Sequence, residues 1–240
     1  MRPPFQAVVF DLDGTLIDTA PDLHAHLNAM LGELGRPLLD LEEIRPMIGD
    51  GARMLLKRGL EASGGLPDGK DLEMLFAEFL ERYTAEPARL GSVYEGVIEA
   101  LEKLAGKGVR LGMCTNKPQA PTDRLLDAMG LKRFFPVVLG GDVLPVRKPD
   151  AGHIRAVLDR LGANGRSAVM VGDSGNDVQA ARAAAIPCVL VSFGYTQIPA
   201  RELGADLVID KMSELAAALA ALAASRPGLD SAHRAPFIAG

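Results

Sequence analysis

Short, wholly or mostly apolar runs alternate along this chain with stretches of helical periodicity. The runs Ala7-Val8-Val9-Phe10, Val109-Arg110-Leu111-Gly112-Met113-Cys114, Val137-Val138-Leu139, Ala168-Val169-Met170-Val171 and Cys188-Val189-Leu190-Val191 are short and rich in Val, and they predict buried strands. Leu207-Val208-Ile209 predicts a short last strand before an Ala-rich helix, 215–224. Between the strands, 97–105, 121–129, 154–161 and 178–184 carry apolar residues at helical spacing. Alternation of this kind predicts βαβ units, and hence an α/β protein built on a Rossmann-like, doubly wound parallel sheet with helices on both faces.

The segment from Pro21 to Leu90 breaks the alternation. Its apolar positions (Leu23, Leu27, Met30, Leu31, Leu34, then Leu72, Leu75, Phe76, Phe79, Leu80) recur at helical spacing, with no strand between them. Gly35-Arg36-Pro37 and Gly64-Gly65-Leu66-Pro67 punctuate it. The pattern predicts an all-helical insertion, 18–90, in a core made of 1–17 and 91–224, with hinges near Ile17-Asp18 and Gly91-Ser92. Inserted helical domains of this type commonly serve as lids. Residues 225–240, with Pro227-Gly228 and Pro236, predict a mobile tail without chemistry.

Composition narrows the classes. A chain of 240 residues with 48% hydrophobic and 24% charged content fits one globular domain with an insertion. The formal net charge of −5 argues against nucleic acid as a partner and requires an anionic ligand to be drawn in by local groups. No apolar run approaches the roughly 20 residues of a membrane span, and the N-terminal segment lacks a signal-peptide core. The two cysteines, Cys114 and Cys188, lie in strand-like surroundings and are expected to be buried and reduced. The expected setting is the cytoplasm, as a monomer or homodimer.

The chemistry gathers at strand ends. The first strand runs straight into Asp11-Leu12-Asp13-Gly14-Thr15, and in open α/β sheets ligands bind beyond the carboxyl ends of the strands. Two carboxylates so close repel unless a cation or a shared proton compensates them, which suits a hard divalent metal beside a nucleophile. Asp is equally at home in a turn that caps a helix. Three further clusters follow strands: Thr115-Asn116-Lys117-Pro118, Arg147-Lys148-Pro149-Asp150 and Gly172-Asp173-Ser174-Gly175-Asn176-Asp177. Taken singly, each also reads as a helix cap or a solvated surface charge.

Their order and spacing resemble the haloacid-dehalogenase-like hydrolase superfamily, in its phosphoglycolate phosphatase branch. Asp11-Leu12-Asp13-Gly14-Thr15 matches its first motif, Thr115 the second, Lys148 the third and Gly172–Asp177 the fourth. The likeness runs from Ala7 to about Ala220. Ala151 stands where many relatives carry Pro, which leaves the lysine intact. The resemblance implies that Asp11 is the nucleophile, forming an aspartyl-phosphate, and that Asp13 is the general acid and base. It implies that Thr115, Asn116 and Lys148 hold the phosphoryl group. It also implies Mg2+ as cofactor, held by the Asp11 carboxylate, the Asp13 main-chain carbonyl and Asp173, with Asp177 in support. Asp13 disfavours dehalogenation, which by the same resemblance needs no leaving-group acid there.

The insertion resembles the family's small cap, so the expected partner is a small-molecule phosphate ester. Met47-Ile48-Gly49-Asp50-Gly51-Ala52-Arg53 is similar to a segment of phosphoglycolate phosphatases. Gly49 and Gly51 would let backbone amides approach the substrate, and Arg45 or Arg53 would meet its carboxylate. The expected reaction is hydrolysis of 2-phosphoglycolate to glycolate and phosphate. A sugar-phosphate phosphatase and a β-phosphoglucomutase-like mutase are the rival enzymes. A receiver-like phospho-acceptor domain, roughly half this length and without an insertion, is the non-enzymatic rival.

Overall fold

Successive side chains of a strand point to opposite faces, and here both faces are apolar, so each strand must be covered on two sides. The computed structural model describes residues 3–226; of the tail expected at 225–240, everything beyond Arg226 lies outside them. The strands are β1 (Ala7–Phe10), β2 (Ile17–Asp18), β3 (Ser92–Val93), β4 (Arg110–Cys114), β5 (Val137–Leu139), β6 (Ala168–Gly172), β7 (Cys188–Val191) and β8 (Leu207–Ile209). Six of them form one sheet in the order β5-β4-β1-β6-β7-β8, with every neighbouring pair parallel. The chain winds outward from β1 in one direction and then in the other. The order therefore reverses at β1, where the loops after β1, β4 and β6 leave a crevice.

The core helices are α5 (Val97–Ala105), α6 (Gln119–Ala128), α7 (Ala151–Arg160), α8 (Gly175–Ala184) and α9 (Leu215–Ala224). Val8, Phe10, Met113, Val169 and Val171 pack on one face with α5, α6 and α9. Val9, Cys114, Met170 and Leu190 pack on the other with α7 and α8. Both cysteines are buried and free, as expected. The core helices α6, α7 and α8 begin up to three residues earlier than the apolar periodicity shows, because their first turns are small or polar. In α8 that turn is a capping box between Ser174 and Asp177. No helix among the described residues is long and apolar enough to cross a membrane.

The insertion carries α1 (Ala20–Glu33), α2 (Leu41–Ile44), α3 (Ala52–Ala62) and α4 (Leu72–Ala85). These helices bury an apolar cluster of their own around Leu27, Leu31, Leu56 and Phe79. The two linkers, expected to be hinges, pair with each other. Ile17 pairs with Val93 and Asp18 with Ser92 as an antiparallel ribbon, and two-residue strands are too short to leave a periodic signal. The buried carboxylate of Asp22 accepts the backbone N–H groups of Arg89, Leu90 and Gly91 at 2.9, 2.8 and 2.7 Å, which clasps the returning linker to α1.

Candidate active site

All four motifs meet in the crevice beyond the sheet. Asp11 follows β1, Thr115 follows β4 and Asp173 follows β6, so three adjacent parallel strands deliver them to one spot. Lys148, from the loop before α7, reaches in from the side; its Nζ lies 2.9 Å from Asp11 Oδ1 and 2.7 Å from Asp177 Oδ1. Asp11, Thr115, Lys148, Asp173 and Asp177 are all buried. Asn116, also buried, donates to the carbonyls of Gly49 and Lys148, both at 3.0 Å.

The carboxylates divide by what they hold. Asp177 is saturated: Oδ1 takes Lys148, while Oδ2 accepts from the backbone N–H groups of Asp173 and Ser174 and from Ser174 Oγ. It fixes the lysine and the start of α8. Asp173 is held at one oxygen by Thr15 Oγ1 (3.2 Å) and at the other by the Tyr195 N–H (2.8 Å). Gly14 allows this seat, since a Cβ there would lie 2.5 Å from Asp173 Oδ2 and its φ is +78°. Asp11 Oδ1, buried and close to Lys148, has no hydrogen bond of acceptable direction.

The ligand oxygens of Asp11, Asp173 and Asp177 lie within 4.8 Å of one another. A hard-oxygen donor set with one under-used buried carboxylate oxygen fits a divalent cation such as Mg2+. Crowding shows in the titration behaviour. Burial, aided by Asp177 and Asp13 and opposed by Lys148, pushes Asp11 up to about 6. Burial and the charges of Asp177 and Asp11 raise Asp173 well above the carboxylate range. Burial works against the Lys148 ammonium, yet Asp11 and Asp177 outweigh it and keep the lysine charged. Titrating the metal-free protein by carboxyl-carbon NMR is expected to show Asp11 taking up its proton as the pH falls through about 6. Lys148→Met should move that midpoint upward, because it removes the one group nearby that favours the anion.

Three residues to which the sequence assigned no role complete the site. Lys117, buried beside Asp13, places Nζ 3.0 Å from Asp13 Oδ1 and hydrogen-bonds the hydroxyl of Tyr83, which comes from α4 of the insertion. Tyr195 ties the loop of Asp173 to the first linker. Its N–H holds Asp173, while its hydroxyl donates to Asp18 (2.6 Å) and accepts from the Thr19 and Ala20 N–H groups (2.7 and 3.0 Å). Lys117 had a sequence signal, standing two residues after Thr115; Tyr83 and Tyr195 had none, since only folding brings them here.

The candidate cations for the substrate's far end lie elsewhere. Arg45 pairs with Asp18 at 3.2 Å and sits over the Tyr195 ring. Arg53 is engaged by Glu73 on the exposed side of the insertion and does not line the crevice. Arg53 is exposed in the first turn of α3, at the edge of the apolar face that Leu55, Leu56 and Leu60 bury. Gly49 and Gly51 do line the crevice, and a Cβ on Gly51 would come within 2.9 Å of the Asn116 carbonyl. Asn176 Nδ2 donates to Asp50 at 2.7 Å, a second tie between this glycine loop and the core.

The haloacid dehalogenase-like hydrolase family model matches residues 8–191, which contain every motif residue of this crevice. The chain belongs to that family. It is 44% identical over 220 residues to the phosphoglycolate phosphatase of Caulobacter vibrioides, covering 92% of this chain and 93% of the relative. To that of Agrobacterium fabrum it is 40% identical over 219 residues, covering 91% and 94%. Among solved structures, a predicted phosphoglycolate phosphatase from Haemophilus somnus superposes with a TM-score of 0.83 at 29% identity, over 88% of this chain and 96% of that one. CbbY from Rhodobacter sphaeroides, in complex with phosphate, superposes with a TM-score of 0.76 at 26% identity, over 88% and 96%. For a member of this family the likeness to its relatives spans the insertion as well as the core.

Proposed function

We propose that the protein is a Mg2+-dependent phosphatase of small phosphate monoesters, with 2-phosphoglycolate as substrate and an aspartyl-phosphate on Asp11 as intermediate. The observation that carries this reading is the convergence of Asp11, Thr115, Lys148 and Asp173 in one buried crevice roofed by the insertion. An Asp11 oxygen attacks phosphorus as the bond to the leaving alkoxide breaks, and Asp13 gives that alkoxide its proton. Asp13 then takes a proton from the water that attacks the aspartyl-phosphate, which releases inorganic phosphate and restores Asp11. Thr115 and Asn116 with Lys148 orient the phosphoryl group, and the Lys148 charge offsets the approach of two anions.

Asp11, Asp173 and the Asp13 main-chain carbonyl would hold Mg2+, with Asp177 supporting through its grip on Lys148 and the Asp173 backbone. When bound, the ion supplies further positive charge against the phosphoryl oxygens. The helices 18–90 act as the cap, excluding water and admitting only small esters. The curated relatives named phosphoglycolate phosphatase support the choice of substrate. Phosphate release should be measured over a panel of small phosphate esters, with Mg2+ and with a chelator. The expected result is that 2-phosphoglycolate ranks first and that release stops without the metal. A sugar phosphate ranking first, or full release in chelator, would overturn the assignment.

A further inference from the structure

We propose that Lys117 and Tyr83 form the subsite for a carboxylate on the substrate, so that the enzyme selects short phosphorylated carboxylic acids; this rests on the phosphatase reading above. Lys148 stands at the phosphoryl end of the crevice beside Asp11, and Lys117 is the one further cationic side chain among the described residues lining it. The walls beside Lys117 are apolar, with Leu23, Ile48 and Leu55. In such surroundings a substrate anion needs a charged partner, and Arg45 and Arg53 are both engaged outside the crevice.

Position sets the length of the ligand. Asp13 works at the leaving oxygen, and Lys117 Nζ stands 3.0 Å from Asp13. An anionic group reaching the lysine is therefore about two carbons from the scissile bond. The donor count fits a carboxylate, since one ammonium and one phenol serve its two oxygens. Tyr83 is wholly buried, and burial raises its phenol far above the usual range, so it remains a donor at neutral pH. The ammonium also lies 4.3 Å from the centre of the Tyr83 ring.

The two halves of the subsite come from different parts of the fold. Lys117 belongs to the core loop after β4 and Tyr83 to α4 of the cap. A bound carboxylate would bridge cap and core, so binding energy from the non-reacting end would favour the closed crevice. Without substrate, Lys117 is occupied by Asp13, which also accepts from Thr19 Oγ1 at 2.7 Å. A substrate carboxylate would take the lysine over and leave Asp13 free to serve the leaving oxygen.

The test compares kcat/KM for 2-phosphoglycolate with that for 2-hydroxyethyl phosphate, which has the same length but no charge at the end away from the phosphate. Both esters are measured with wild type, Lys117→Met, Lys117→Arg and Tyr83→Phe. The wild type is expected to prefer the acid, and Lys117→Met to reduce that preference by about 30- to 100-fold, the worth of one charge-assisted contact. Lys117→Arg should restore part of it. Tyr83→Phe, which removes only a hydroxyl, should reduce it by about fivefold and remains informative if Lys117→Met does not fold. Glycolate should lose potency as a competitive inhibitor in step with the preference. An equal loss on both esters in Lys117→Met would mean that the lysine acts through Asp13 alone, and the subsite would be refuted. A wild type that hydrolyses both esters equally would also overturn the subsite while sparing the phosphatase reading, whereas one that hydrolyses neither would overturn that reading itself.

Discussion

Asp11→Asn is expected to lower kcat by about 10⁴-fold or more while leaving the protein folded and at least as stable as wild type. An amide is nearly isosteric with the carboxylate but cannot attack phosphorus, so the covalent route closes. The stability half follows from charge. Asp11 shares a buried pocket with Asp173 and Asp177, and its proton affinity is raised to about 6, so at neutral pH the fold bears the anion at some expense. The sign is fixed by linkage: an acid titrating higher in the folded than in the unfolded state costs stability as the pH rises from its unfolded to its folded value, and the whole penalty is present above about 6. Replacing it by a neutral group removes the penalty. Phosphate release and thermal unfolding of the same preparation check both halves; a variant that keeps a tenth of the wild-type turnover would rule out Asp11 as the nucleophile.

Lys148→Met should damage the protein in the opposite way, losing both activity and stability. Its ammonium is buried and lies within 3 Å of two of the three clustered carboxylates. Breaking a buried ion pair from one side costs about 3–5 kcal/mol, because charge is left uncompensated. Turnover should fall by about 10³-fold, as for removal of an electrostatic donor at the reacting group. The stability loss should be large at pH 8 and shrink as the pH falls, since the stranded acids then take up protons. Urea unfolding at pH 8 and pH 5 measures this. Equal destabilisation at the two pH values would point to lost packing of the lysine stem in place of lost charge.

The core was legible because its signals are local. The strand β1 announces itself as four consecutive apolar residues ending in Asp11, and the same form recurs before Thr115 and Asp173. A fully buried parallel strand must be apolar on both faces, so the run and its polar end can be read without knowing what packs against it. The helices α1 and α4 were equally readable from their spacing. The ribbon joining it to the core was not, because Ile17, Asp18, Ser92 and Val93 pair across a separation that no local pattern records. The residue that meets the substrate's far end was not legible for a related reason. An arginine on an amphipathic helix can face either way until the helix has docked, and Arg53 faces Glu73 and solvent.

By itself, then, the order of residues determined the doubly wound sheet, the helices α1 and α4 and the polar clusters that follow the strands, since each is encoded within a few neighbouring positions. The tertiary structure alone decided which cation faces the crevice, because Lys117 of the core acquires its meaning only when Tyr83, 34 positions earlier, closes over it. It likewise decided that Asp177 grips Lys148 and that Tyr195 binds the Asp173 loop to the cap linker. Those are contacts between surfaces, and a surface exists only after the chain has chosen what to bury.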